Sequence, residues 1–372
     1  MHGRIYVLVI IYAQSPKIPF MACVNPRLMA CIDLNKYPLL RPRFQELGWK
    51  ISQTDNKAYR LVSKETRDIV LEKVPDYVEQ KVFEIPCGGC VACRLNYSKD
   101  WANRCSLESS LYNDNYFITL TYDDEHLVYG DIGNPTLKKE HFTKFIKDLR
   151  QVYRLKFDHK GIRYFGCGEY GDKYNRPHGH IIFFNLPIDD LSIDFPQPDG
   201  TIIRKKEKMT GKFYFYSELI QSLWPYGYVV IADCNWNTEA YVSRYIMKKQ
   251  KGNNGKIYKD KLGIEPPYLF MSNRPGIGTE KFLDNYIGYL AEPYMIVSRP
   301  YKPPLISGLP RAFKKKIKED DPKIYNQMVD LAKENLGKSN SLLHGIQLIN
   351  DNRANIESNI ISKAKSFVRD FE

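Results

Sequence analysis

The clearest period-two stretch is Tyr116–Tyr122, in which Ile118, Leu120 and Tyr122 alternate with Phe117, Thr119 and Thr121. Such alternation predicts a strand with two different faces. Arg163–Cys167, His178–Phe184 and Tyr226–Asp233 predict three more strands, and the short runs Trp49–Ser52 and Ala58–Val62, separated by Thr54-Asp55-Asn56, predict a hairpin. Apolar residues at helical spacing mark residues 94–112 (Leu95, Trp101, Cys105, Leu107, Leu111) and 139–154 (Phe142, Phe145, Ile146, Leu149) as helices. Shorter helices are expected over Ser217–Trp224 and from Asn237 or Thr238 to just before Gly252.

The order strand, helix, strand, strand, helix, strand, helix, without a glycine-rich phosphate loop, predicts an α+β fold with a largely antiparallel central sheet flanked by helices. Four segments follow: 1–112 with a cysteine cluster and a helix, a core over 113–251, a basic, loop-rich extension over 252–310, and a helical tail over 311–372. The apolar run Ile5–Ala13 is too short to span a membrane, which takes roughly 20 residues, so no membrane partner is expected. Met21 opens a segment that reads more like a native start than residues 1–20 do.

Charge narrows the partners. The chain carries a formal net charge of +12, which favours a polyanion, most commonly nucleic acid. Arg204-Lys205-Lys206, Lys248-Lys249-Gln250-Lys251 and Lys314-Lys315-Lys316 are clusters that can track a phosphate backbone or simply be solvated. Eight cysteines in 372 residues are too sparse for a disulfide scaffold, so a reducing intracellular setting is expected.

Three constellations carry candidate chemistry. His178 and His180, at i and i+2 on a strand, project to one face, and Glu169 ends the preceding strand. Two imidazoles and a carboxylate leave a divalent ion with open positions. Tyr241 and Tyr245, at i and i+4 on a helix, bring two phenols side by side; Lys248 and Lys249 can share that face and favour a phenolate, and Val242, Ile246 and Met247 supply a separate core stripe. Cys87, Cys90 and Cys93 have a spacing that suits structural zinc, with Cys23 or Cys31 available as a fourth ligand, or else pack as reduced thiols.

In this order, the motifs Pro86–Arg94, Trp101–Arg104, Phe117–Tyr122, Gly166–Gly171, Arg176–His180 and Tyr241–Tyr245 resemble the HUH endonucleases, the rolling-circle initiators, and among them the replication initiators of microviruses, the gokushovirus-like single-stranded DNA phages. The resemblance spans most of residues 21–310. It implies that Tyr241 or Tyr245 attacks a phosphodiester of single-stranded origin DNA, leaving a 5′-phosphotyrosine and a 3′-hydroxyl primer, and that the second tyrosine later closes the displaced strand. It also implies Mg²⁺ or Mn²⁺ on His178, His180 and Glu169, with Lys248 and Lys249 holding phosphate or a tyrosinate. A host polymerase and helicase are the implied partners, and the cytoplasm of a bacterial host the implied location. Arg176, Arg244, Thr119 and Thr121, which lie within these motifs, are expected DNA contacts. In one departure, Gly179 stands where the family usually has a bulky apolar or aromatic residue. Glycine weakens strand packing, so a loss of local rigidity is expected there. Competing readings are a non-enzymatic zinc-stabilised DNA-binding protein, a related relaxase or transposase, and a metal-dependent oxygenase. The paired tyrosines and basic charge weigh against the last.

Overall fold

In a computed structural model, the structure describes residues 27–53, 56–62, 74–75, 77–171, 175–197, 199–207, 211–235, 238–239, 242–243, 253–291, 294–299 and 302–337. The chain forms two units, divided in sequence between Arg94 and Leu95.

The N-terminal unit holds a four-stranded antiparallel sheet in the order β2-β3-β1-β4, from β1 (Arg27–Asp33), β2 (Lys50–Ile51), β3 (Lys57–Val62) and β4 (Gln80–Ile85). The expected hairpin is β2–β3. Helix α1 (Arg41–Glu46) delivers Phe44, whose ring meets Trp49 edge-on in a core with Ala30, Ile32, Ala58 and Val62. Helix α2 (Val91–Ser109) begins directly after the cysteine turn.

The second unit is built on a five-stranded antiparallel sheet in the order β10-β5-β7-β6-β11. Its strands are β5 (Asn115–Tyr122), β6 (Arg163–Tyr170), β7 (Pro177–Phe184), β10 (Gly227–Asp233) and β11 (Tyr268–Met271); the two-residue strands β8 (Phe195–Pro196) and β9 (Ile202–Ile203) pair separately within the expected 187–212 insertion. Pleating sorts the side chains between two faces. On one face Ile118, Leu120, Ile181, Phe183, Val229 and Ile231 meet Phe142, Phe145, Ile146 and Leu149 of α3 (Lys139–Lys156), together with Trp224 beyond α4 (Glu218–Ser222). On the other, Phe117, Phe165, Cys167, Ile182 and Phe184 meet Trp101 and Cys105 of α2, Ile277 and Val242. Trp101 stacks on Phe165 with ring centroids 4.9 Å apart. Strand β7 is thus buried on both sides, which explains its unbroken apolar run from Ile181 to Phe184. The architecture is α+β with antiparallel sheets, as the pattern predicts.

Gly179 departs from the expectation of weakened packing. It faces α3, and a Cβ there would lie 2.3 Å from Cε1 of Phe142. The absent side chain is what lets the Phe142 ring, itself fully buried, lie against the strand.

The region 252–310, expected to be loop-rich, contains regular structure: α5 (Asn253–Asp260), β11, α6 (Thr279–Asp284), α7 (Tyr286–Ala291), β12 (Tyr294–Arg299) and β13 (Lys302–Gly308). Each is short and set off by residues such as Gly263, Pro266-Pro267 and Pro275-Gly276, so no periodicity develops. Helices α8 (Arg311–Asp320) and α9 (Pro322–Gly337) follow, and Phe313, Ile317 and Met328 join Phe282 and Met295 in a separate core. Among the described residues, no helix is long and apolar enough to cross a membrane.

Candidate metal centre

The three predicted ligands come together on the β6–β7 hairpin. Glu169 pairs directly with His178 across the strands, and Cys167 with His180, so register alone puts the carboxylate beside both imidazoles. Nε2 of His178 lies 2.9 Å, and Nε2 of His180 3.2 Å, from the same Oε1 of Glu169. One ligand atom from each residue falls within 4.8 Å of the others. Burial alone would raise the Glu169 carboxyl, but hydrogen bonds from His178 and His180 outweigh it and hold the group well below the usual carboxylate range.

The imidazoles are oriented from behind. Nδ1 of His178 lies 3.0 Å from the carbonyl oxygen of Arg176, which can only accept, so this nitrogen carries hydrogen. Nδ1 of His180 lies 3.0 Å from the Thr119 hydroxyl on β5. The Phe117 ring stacks on His180 at 5.4 Å. With Nδ1 engaged on both rings, Nε2 is the nitrogen presented to an ion. The donor set, two imidazoles and an ionised carboxylate, fits a divalent cation such as Mg²⁺ or Mn²⁺.

The other expected site residues are placed unevenly. Thr119 is engaged by His180, and Thr121 stands opposite His178 in register. Arg176 donates to the Tyr122 carbonyl at 2.8 Å and pairs with Asp124, bracing the end of β5. Tyr241, Tyr245, Arg244, Lys248 and Lys249 lie outside the described residues, as does Cys23. Beside the tyrosines in sequence, Thr238, Glu239, Val242 and Ser243 are helical and buried, and Val242 packs on the sheet face that carries the histidines. Cys87, Cys90 and Cys93 also gather, with their Sγ atoms within 4.8 Å of one another.

Two features were not legible in the sequence. The Thr119–His180 bond depends on the register between β5 and β7, which lie far apart along the chain. Glu239 is buried, accepts from the Ser109 hydroxyl at 2.7 Å, and is pushed up to about 7 by burial, an effect that bonds from Ser109 and Cys234 only partly offset. The helical pattern around it could have flagged a carboxylate on an inward face.

Residues 115–250, which begin with β5 and include the hairpin, match the family model for replication-associated proteins of the ORF2 type. The chain is 40% identical over 215 residues to the replication-associated protein ORF2 of Spiroplasma virus 4, covering 58% of this chain and 62% of that protein. It is 35% identical over 194 residues to the replication-associated protein VP4 of Bdellovibrio phage phiMH2K, covering 51% and 56%. Against the replication-associated protein ORF4 of Chlamydia phage 1 it is 32% identical over 173 residues, covering 46% and 40%. The chain thus spans less than two thirds of each relative's length. No solved structure gives a significant match. The stretch that carries the histidine hairpin is that of a replication-associated protein of the ORF2 family.

Proposed function

We propose that this protein nicks and rejoins single-stranded origin DNA to start rolling-circle replication of a small phage genome. The observation that carries this reading is the convergence of His178, His180 and Glu169 at one point of a sheet whose sequence matches a phage replication family. The net charge of +12 supports a DNA substrate.

The nucleophile is Tyr241 or Tyr245. Its phenol oxygen bonds to phosphorus, the bond from phosphorus to the 3′-oxygen breaks, and the 5′-phosphate stays on the tyrosine. The phenol gives up its proton, and the departing 3′-oxygen takes one to become a hydroxyl. A phenol has a pKa of about 10, so Lys248 and Lys249 serve by favouring the phenolate. One phosphodiester is exchanged for another, so attack by a free 3′-hydroxyl reverses the step and reseals a strand. With two tyrosines, one can cut while the other holds DNA. His178, His180 and Glu169 would hold Mg²⁺ or Mn²⁺, which when bound polarises a phosphoryl oxygen. The new 3′-hydroxyl primes a host polymerase, with a helicase opening the duplex ahead.

The test is incubation with single-stranded DNA bearing the cognate origin, with Mn²⁺ or with EDTA, followed by denaturing electrophoresis. Wild type is expected to form a covalent adduct only with metal. Tyr241→Phe or Tyr245→Phe should leave some adduct, and the double variant none. Tight DNA binding with no adduct under any metal would refute the proposal.

A further inference from the structure

Strand β4 ends at Ile85, and the chain passes through Cys87-Gly88-Gly89-Cys90 before α2 starts at Val91. Gly88 adopts a left-handed conformation, φ +74°, which curls the chain back over Cys87. The backbone N–H groups of Gly89 and Cys90 then donate to Cys87 Sγ at 3.4 and 3.2 Å, an arrangement that suits an anionic sulfur. Cys90 and Cys93 are three residues apart at the start of α2, on one side of the helix and at the end where its dipole favours negative charge.

All three cysteines are in the reduced thiol form in the structure, with Sγ atoms within 4.8 Å of one another. Three thiolates this close repel unless a cation lies between them, and three sulfurs cannot all be satisfied by disulfides. A tetrahedral zinc site with Zn–S bonds of about 2.3 Å sets its sulfurs roughly 3.8 Å apart, a small contraction of the cluster. We propose that Cys87, Cys90 and Cys93 bind a zinc ion as three thiolate ligands, leaving a fourth position for a further donor or water. This site is independent of the nicking reading. Soft thiolates select zinc, whereas the imidazole–carboxylate set on the hairpin takes a harder ion. The ion ties the end of β4 to the start of α2, adding a cross-link to a unit with a small core.

The test uses the full chain. Protein purified without added metal is assayed for zinc after dialysis against a weak chelator, then exchanged with Co²⁺ and examined for thiolate-to-cobalt charge-transfer absorption. One tightly held zinc per chain and a charge-transfer band are expected. Replacing Cys87, Cys90 or Cys93 by Ser should weaken retention by at least about 10- to 100-fold, whereas the His178→Ala/His180→Ala variant should keep its zinc. Should the cysteine variants fail to fold, the cobalt spectrum of the wild type decides alone. A cobalt protein without thiolate charge transfer, iron in place of zinc, or a triple-cysteine variant with full zinc content would overturn the proposal.

Discussion

Replacing Gly179 by alanine adds a single methyl between the two histidines. Built on the backbone, that carbon lies 2.3 Å from Cε1 and 2.8 Å from Cδ1 of Phe142. Ordinary contact starts at 3.4 Å, so the ring or the strand must yield by about 1.1 Å in a close-packed core. Phe142 has little room: its ring stacks against Trp224 and Phe270, at 5.4 and 6.0 Å. Overpacking of this kind costs about 1–3 kcal/mol. Thermal unfolding should show Gly179→Ala several degrees below wild type. Any displacement of β7 also moves His178 and His180, so Mn²⁺ affinity should fall. Trimming the obstructing ring provides the decisive control, because Phe142→Leu in the Gly179→Ala background should recover part of the loss. A coupling of roughly 0.5–3 kcal/mol between the two sites is expected of residues in contact. If the two changes simply add, or if Gly179→Ala melts with wild type, the account of this glycine is wrong.

Three further outcomes are expected. Thr119→Val keeps the side chain's shape but loses the hydroxyl beside His180 Nδ1, and titration with Mn²⁺ should show affinity down by about 10- to 100-fold with the melting temperature little changed. Glu239 has its folded value raised from 4.5 to about 7, so the folded state holds the extra proton between those values. Stability from this group is full below pH 4.5 and falls as pH rises towards 7, by on the order of 3 kcal/mol; Glu239→Gln should flatten that slope in a pH series of melts and raise stability at pH 8. Glu108→Gln breaks a buried ion pair with Arg163 and weakens the acceptor for the Gly278 N–H, and chemical denaturation should register a loss of about 3–5 kcal/mol.

Much of this site could be read before the fold was known because its geometry is local. Two histidines two apart on a strand share a face whatever the tertiary structure, and Glu169 is close enough along the chain for a hairpin to return it. The strands that carry the site have long, well-patterned stretches, and β5 alternates cleanly from Tyr116 to Tyr122. Elements whose identity depends on a neighbour were harder to see. Strand β11 has four residues and is a strand because β6 offers it an edge, with Tyr268 opposite Gly168. Gly179 looked like a weakness because the pattern along β7 says nothing about a ring arriving from α3. Arg176 and Thr119 looked like side chains available for DNA, yet each is engaged by a group more than fifty residues away in sequence.

The pairing of Glu169 with His178 also bears on when the centre takes shape. Its carboxylate and first imidazole are nine residues apart, and hairpins of this size close in about 1–10 μs. Contacts such as Ser109 with Glu239 span 130 residues and must await a much larger loop closure. The ion-binding geometry therefore belongs to an early, self-contained piece of the chain, while the segment around Glu239 and Val242, next to the tyrosines in sequence, must be brought to the sheet later. Damage that unseats that segment should abolish cutting and leave ion binding in place.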